Sequence, residues 1–442
     1  MNFETLAGWL SHRDATSSCI LTSRTELSAQ ALQKDLDKLK INAPVPRECR
    51  LALVGLTPLQ IVQAIIAFDG VVDSMLLLPH ELDEKWRDTL IDLARCTHRL
   101  QDDGLRSLAG VEPSSRKNSR TATRWILATS GTTGTPKLVE HQLATLARTV
   151  RQDPKRGADF VWGLVYVPCR YAGLQVVLQA LLSGARLVLA DELDFDQQVK
   201  VFLQHDVNAL SATPSLWRRM MMDGRVANLN LKQITLGGEI VDQIIINALA
   251  KQYPEARIVH IYASTEAGTG FSVHDKRSGF PSDWIRTSSN RPKMKISADN
   301  HLMIKPPLLP SGSFLKHRLD PQGYLDTQDI VRQEGDRIFF VGRASGVINV
   351  GGNKVHPEEV EVCLRAIDGV RDARVFSKPS SILGQLVAAE IVAADTEEES
   401  ALRSRIARAC RSMLKSWQVP TKLTFVKSIK ETSAGKVDRS KE

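Results

Sequence analysis

Between about residues 50 and 265, short unbroken apolar runs alternate with stretches in which apolar residues recur every three or four positions. Runs of the first kind suit strands buried on both faces, and spacing of the second kind suits helices with one face in a core. Leu51-Ala52-Leu53-Val54 reads as such a strand. Thr57 and Pro58 then supply an N-cap and a proline at the first helical position, and Ile61, Val62, Ile65 and Ile66 continue the helix to Gly70. A strand over residues 71–78 closes this β-α-β unit. The pattern recurs as helix 173–182 with a stop at Ser183-Gly184, strand 186–189, helix 196–205, strand 207–210, strand 233–236, helix 241–252 and strand 257–262. It predicts the α/β class: a large N-terminal domain of layered, largely parallel sheets flanked by helices. Ligands in such sheets bind beyond the carboxyl ends of the strands, so the loops there are the place to look for chemistry.

The texture changes near residue 295. Short strands are predicted at 295–296, 301–305 and 337–341, and residues 345–442 read as a small α+β unit. Its strands fall at 347–350, 373–376, 386–392 and 422–426, and its helices at 357–366 and 398–414. A boundary near Arg343-Ala344-Ser345-Gly346 divides the chain into an N-terminal domain, 1–343, and a C-terminal domain, 344–442. The polar stretch 276–293 reads as a surface loop. The 442-residue length agrees with two or three domains.

Composition narrows the class without naming it. A chain 43% hydrophobic and 24% charged matches globular proteins, and no run of 18 apolar residues suggests a membrane span. The start, MNFETLAGWLSHRD, carries acids early and lacks the apolar core of a signal peptide. Six cysteines lie far apart with no metal-binding spacing, which suits free thiols in a reducing cytoplasm. The net charge of +8 fits a basic surface or attraction of polyanionic small molecules. Nucleic acid is not expected, because the basic residues are scattered and aromatics make up only 5%.

ATSGTTGTPKL, residues 128–138, is dense in small hydroxyls and glycines and follows the apolar run Trp125-Ile126-Leu127. The side chains of Thr129, Ser130, Thr132 and Thr133, the backbone N–H groups of Gly131 and Gly134, and the Lys137 ammonium suit a cradle for phosphate oxygens. A Walker-type loop is excluded twice over, because Pro136 precedes Lys137 and Leu138 follows it.

The stretch TSGTTGTPK closely resembles the phosphate-binding signature of the adenylate-forming superfamily: acyl- and aryl-CoA synthetases, peptide-synthetase adenylation domains and luciferases. Five further stretches resemble that family in order. They are ITLGGE at 234–239, IYASTEAG at 261–268, GYLDTQD at 323–329, VGRASGVINVGGNKVHPEEVE at 341–361 and TSAGKVDR at 432–439. The resemblance implies a two-step reaction. A carboxylate attacks the α-phosphate of ATP to give an acyl-adenylate and pyrophosphate. A thiol of coenzyme A, or of a carrier protein's phosphopantetheine, then displaces AMP.

The same resemblance assigns roles. Lys436 would be the adenylation cation, delivered by a mobile C-terminal domain; without the resemblance it reads as a solvated lysine. Glu266 would bind Mg2+, Thr265 would touch the α-phosphate, and Ala263 and Ser264 would complete that turn. Gly238 and Glu239 would line the adenine side through backbone contacts. Tyr262 would lie flat against adenine or else be a core aromatic. Asp329 would take both ribose hydroxyls and Arg343 the ribose and phosphate edge, the alternative being a surface ion pair. Ser345 stands at the hinge, and Gly351-Gly352 in the loop that admits the thiol arm. The acyl pocket would draw on Arg170, Tyr171, Gly237 and Ala267. Arg170 is a candidate partner for a second polar or anionic group on the acid, or else a surface arginine. A small or aromatic acid is favoured, because only about 130 residues precede the phosphate loop. The loop GGNKVHPEEVE resembles CoA ligases more than peptide synthetases. Loading of a carrier protein, or a non-catalytic nucleotide binder, is the alternative. Leu138, Ala263, Gln328 and Lys430 depart from the family pattern, and none of them removes a charge the chemistry needs.

Overall fold

The computed structural model describes residues 5–46, 48–108, 122–129, 137–190, 192–287, 291–306, 318–432 and 436–439. Arg50–Leu53 is a strand buried at every position, as its apolar run requires. The helix after it, Pro58–Phe68, begins in a capping box: the Gln60 N–H donates to Thr57 Oγ1 at 3.4 Å and the Thr57 N–H to Gln60 Oε1 at 2.8 Å. Ser74–Leu77 then pairs in parallel with Arg50–Leu53. His98–Gln101 and Arg124–Thr129 extend this parallel centre on either side. Gly104–Ser107 and Lys137–His141 add antiparallel edges, making six strands.

A second sheet has eight strands. Its parallel centre runs Arg257–Ser264, Gln233–Gly237, Ala209–Ala212, Val161–Leu164, Arg186–Leu189 and Ser18–Leu21. Gly268–Val273 and Glu26–Ser28 form its antiparallel edges. One apolar core joins the two sheets through the helices Pro58–Phe68 and Tyr171–Ser183, with Leu53, Trp125, Ile65, Leu178 and Leu187 among its buried members. The Tyr171–Ser183 helix lies close to its neighbours at Gly173, where an added Cβ would stand 2.2 Å from the Val167 carbonyl oxygen.

A five-stranded antiparallel sheet follows, ending in Leu325–Glu334 and Arg337–Arg343. The turn Ala344–Gly346 then leads into another sheet, Asn353–Val355, Ile348–Val350, Gly384–Ala393 and Val370–Ser380, which Lys422–Phe425 joins in parallel. The helices Pro357–Arg365 and Glu399–Met413 pack on this sheet around Val360, Leu364, Leu402 and Ile406. The architecture is the one the pattern predicts: a large sheet-rich α/β domain and a smaller α+β C-terminal domain.

Residues 279–281 depart from the surface loop that polarity suggests for 276–293, of which 288–290 lie outside the described residues. Phe280 is fully buried, and Phe280–Pro281 pairs with Arg337 and Ile338. The irregular backbone is satisfied from inside. The buried Arg337 guanidinium donates to the carbonyls of Ser278, Arg277 and Gly279 at 2.8, 3.1 and 2.8 Å and pairs with Asp275 at 2.6 Å. An arginine serving as backbone partner leaves no periodic trace. The strands at 18–28 and the helices Ala29–Asn42 and Pro214–Met222 were likewise not anticipated.

Candidate active site

The carboxyl ends of Gln233–Gly237 and Arg257–Ser264 open into a cleft of about 2160 Å3 that also receives Arg343 and the C-terminal segment around Lys436. Thr129 lines its edge. Ser130, Gly131, Thr132, Thr133 and Gly134 lie outside the described residues. Lys137 opens the strand that pairs with Thr129, and the Thr129 hydroxyl donates to the Lys137 carbonyl at 3.5 Å. Lys137 is not among the residues lining the cleft.

Asp329 is held from two sides. It faces Arg343 across the antiparallel pair Leu325–Glu334 and Arg337–Arg343, and the Arg343 Nε lies 2.9 Å from its Oδ1. The Tyr262 hydroxyl donates to its Oδ2. Burial, with the Asp329 charge adding to it, pushes the Tyr262 hydroxyl well above the usual phenol range, so it stays protonated as a donor. The Tyr262 ring lies nearly parallel to Phe271 and Phe340, with centroids 5.3 and 5.0 Å away. Its ring therefore belongs to an apolar layer, while its hydroxyl belongs to the Asp329 site. Gln328 takes φ 61°, the left-handed region where glycine is at ease. Its departure from the family's glycine carries a backbone cost of about 1 kcal/mol.

Lys436 reaches the cleft on the returning arm of a hairpin. The Thr432 N–H donates to the Lys436 carbonyl at 2.8 Å, and Glu431 bridges to Val437. Residues 433–435 between these arms lie outside the described residues. The Val437 N–H donates to Glu239 Oε1 at 2.7 Å, while Glu239 Oε2 accepts from the Ser215 N–H at 3.0 Å and the Ser215 hydroxyl at 2.7 Å. The Glu239 carboxylate thus has a structural role beside the backbone contacts expected of the residue. The motif marks the position but not the partner, which arrives from about 200 residues downstream. Gly238 has φ +82°, and a Cβ there would stand 3.3 Å from Lys436 Cε. Lys436 keeps some solvent-exposed surface, but the walls of the cleft displace much of its water and lower its pKa. Arg343 lowers it further, while Glu239, Asp329 and Glu266 oppose the shift.

Glu266 lines the same cleft, with Arg318 Nη1 3.9 Å from its Oε1. Ala263, Ser264 and Thr265 also line it. Among the described residues no three His, Cys, Asp or Glu side chains gather as a metal site. A single carboxylate lining the cleft still fits Mg2+, which commonly takes one or two carboxylates with the rest of its shell from phosphate and water.

His141 Nε2–H donates to the Thr265 carbonyl at 2.9 Å and so pins the turn that carries Glu266. Sequence reading missed this residue, because a lone histidine at a strand end carries no motif. Burial pulls its pKa from 6.5 to about 4. The unfolded chain therefore takes up a proton between pH 6.5 and 4 that the folded chain refuses, and stability falls across that window by about 3 kcal/mol. Asp69, raised by burial to about 6, runs in the opposite sense over part of the same window. The readout is therefore a difference: urea-unfolding free energies of wild type minus His141→Gln should fall between pH 6.5 and 4. A flat difference curve would contradict the assignment.

Arg170, Tyr171 and Gly237 line the cleft. Tyr171 bonds the Thr269 hydroxyl at 3.2 Å. Ala267 does not belong with them: it is buried against Val139 and Leu325, and its N–H donates to Ser264 Oγ. It supports the turn from behind. Ser345 sits in the exposed turn Ala344–Gly346. Gly351 and Gly352, at φ +56° and +89°, make the two-residue turn between Ile348–Val350 and Asn353–Val355 and lie outside the cleft lining.

Fold and cleft together define a two-domain α/β enzyme in which a C-terminal lysine reaches the strand ends of the larger domain. The chain belongs to the AMP-binding enzyme family: residues 13–295 match that family and residues 359–436 match its C-terminal domain. It is an AMP-forming acid–thiol ligase of that family. It is 24% identical to a 2-succinylbenzoate–CoA ligase of Listeria monocytogenes over 72% of this chain and 68% of that one. It is 27% identical to the phenyloxazoline synthase MbtB of Mycobacterium tuberculosis over 72% of this chain and 24% of that much longer one. Its fold matches the o-succinylbenzoate CoA synthetase MenE of Bacillus subtilis in complex with OSB-AMP, with a TM-score of 0.72 and 16% identity, covering 98% of this chain and 96% of that one. Among the described residues no helix is long and apolar enough to cross a membrane.

Proposed function

We propose that the protein joins a carboxylic acid, aromatic rather than long-chain, to coenzyme A at the expense of ATP. The observation that carries this reading is the approach of Lys436 to the cleft, docked through the Val437 N–H on Glu239, close to Asp329 and Arg343. The attacking carboxylate and the α-phosphate are both anionic, and an ammonium between them lowers the barrier to their approach. One carboxylate oxygen bonds to the α-phosphorus as the bond to pyrophosphate breaks. A thiolate then bonds to the acyl carbon and AMP leaves. Asp329 has about four lone-pair sites; Tyr262 and Arg343 occupy two, which leaves acceptors for the ribose hydroxyls. Glu266 would hold Mg2+, which supplies charge neutralisation at the phosphates. The 2-succinylbenzoate ligases among the relatives support an aromatic acid. The similarity to MbtB keeps a carrier protein as the second possible acceptor.

The test is ATP–pyrophosphate exchange over a panel of carboxylic acids, followed by transfer to coenzyme A or to a phosphopantetheinylated carrier protein. Aromatic acids are expected to support exchange, and coenzyme A to release AMP faster than the carrier. Transfer to the carrier alone would overturn the choice of acceptor, and exchange with no acid would overturn the activity.

A further inference from the structure

The cleft does not stop at the nucleotide end. From Gly237 and Ile261 it continues along one face of the eight-stranded sheet, past Thr235 and Val259, to Gln233 and Arg257. These are alternate residues of two neighbouring parallel strands, so they share one side of the pleat. Opposite them stands one stripe of the Tyr171–Ser183 helix: Tyr171, Gln175, Gln179 and Ser183, spaced four apart. The passage between sheet and helix therefore runs the length of the strand, roughly 13 Å from Gly237 to Gln233 at strand rise. Its walls are mixed. Val259, Trp162 and Val176 are apolar, while Thr235, Gln175 and Gln179 offer hydrogen bonds.

The far mouth is basic. Arg257, Arg151 and Arg156 line it together with His274. Arg257 is aimed by its neighbours: its Nη1 donates to Gln233 Oε1 at 2.9 Å and its Nη2 meets His274 Nδ1 at 2.9 Å. Arg151 and Arg156 press on it with like charge, which together with burial lowers the Arg257 pKa. Asp153 is the acidic residue nearby in the chain that lines the same cavity, and it is occupied as the N-cap of Pro154–Gly157, accepting from the Arg156 N–H. An excess of cations at the far mouth of an acyl passage, with glutamine and threonine on its walls, has no partner in the chemistry at Lys436.

We infer that the passage accepts an elongated acid carrying a second anionic group, and that Arg257 and Arg151 bind that distal anion while Lys436 faces the carboxylate to be activated. This rests on the ligase reading and adds the class of acid. It also moves the second-anion site from Arg170, which lines the near part of the cleft, to the opposite end of the sheet. A short acid would leave the arginines out of reach, and a long acid with a neutral terminus would leave them unpaired.

The test compares pyrophosphate exchange for straight-chain α,ω-dicarboxylic acids of increasing length with the monocarboxylic acid of the same length at each step. In wild type, kcat/KM for the diacid is expected to exceed that of the matching monoacid by tenfold or more once the chain spans the passage. Arg257→Gln and Arg151→Gln should each reduce that ratio by tenfold or more, chiefly through KM of the diacid. Arg257 and Arg151 are both exposed, and the two replacements check each other against misfolding. Exchange at equal efficiency for both acids, or a ratio that neither substitution alters, would overturn the distal-anion site alone. Wild-type protein that exchanges with aromatic acids but with neither straight-chain acid would overturn this inference alone, and protein that exchanges with no acid, aromatic ones included, would overturn the ligase reading with it.

Discussion

Replacing Lys436 with alanine should lower ATP–pyrophosphate exchange by about 10²–10³-fold, the usual size of the loss when one preorganised charge is removed from a developing anion. Nucleotide binding should change far less, because Asp329 and Arg343 remain in place. The second step offers a sharper contrast. The thiol attack on a preformed acyl-adenylate creates no new meeting of carboxylate and phosphate, so a synthetic acyl-adenylate should still be consumed by Lys436→Ala protein in the presence of the acceptor thiol. The ammonium is also sensitive to its setting. The cleft lowers its pKa, and Glu239, Asp329 and Glu266 counteract that pull. Glu239→Gln removes the first of these opposing charges and weakens the dock for the Val437 N–H, so it should reduce exchange as well. Wild-type exchange in Lys436→Ala would remove the charge argument altogether.

The second large effect lies in the C-terminal domain. Glu361 is 2% exposed. It accepts from Arg439 Nη1 at 2.6 Å and Nη2 at 3.0 Å, from Arg365 at 3.3 Å and from the Val375 N–H at 2.9 Å. Burial alone would raise its pKa, but Arg439 and Arg365 outweigh that and hold it below the usual carboxylate range. Glu361→Ala removes the buried carboxylate that Arg439 and Arg365 share, leaving Arg365 to Asp372 and Asp242 and the part-exposed Arg439 to Glu358, a loss of about 3 kcal/mol. For a domain of this size that is roughly 12 °C or more in melting temperature. Because Arg439 follows Lys436 by three residues, exchange should fall along with stability. Differential scanning fluorimetry and exchange on the full chain check both. Glu361→Gln, which keeps the shape and an acceptor, should lie between wild type and alanine. An unchanged melting curve in the alanine variant would show that the arginines find other partners.

The fold was readable where an unbroken apolar strand or a capped helix stood within the repeating strand–helix pattern. Arg50–Leu53, Pro58–Phe68 and Gln233–Gly237 are of that kind. It was not readable where polar residues do structural work. The stretch around Phe280 looks like a loop because its backbone is satisfied by one buried arginine, Arg337, from another strand. The first 45 residues were passed over because Ser18–Leu21 is a single short strand whose parallel partner, Arg186–Leu189, lies far along the chain. The site divides in the same way. Motif spacing located Asp329, Arg343, Glu266 and Lys436, all of which line one cleft. It did not reveal what Glu239 does, since a carboxylate that receives a distant amide looks no different from one in solvent. It placed Ala267 in the pocket wall, whereas that residue is buried in the turn after Arg257–Ser264, against Val139 and Leu325.

The segment bearing Lys436 is tied unequally to the two domains, and Glu431 adds a partly exposed ion pair to Arg219 at 3.7 Å. Towards its own domain, Arg439 grips Glu361 with two charged bonds in the interior. Towards the larger domain, Val437 gives Glu239 a single amide hydrogen, a contact of about 1.5–3 kcal/mol. Parting of the halves, which we propose for the second step, would open the seam at Glu239 and carry the ammonium away with the smaller piece. Removal of the activating charge and access for the incoming thiol would then be one movement, the first reagent cleared from the bench in the act of making room for the second.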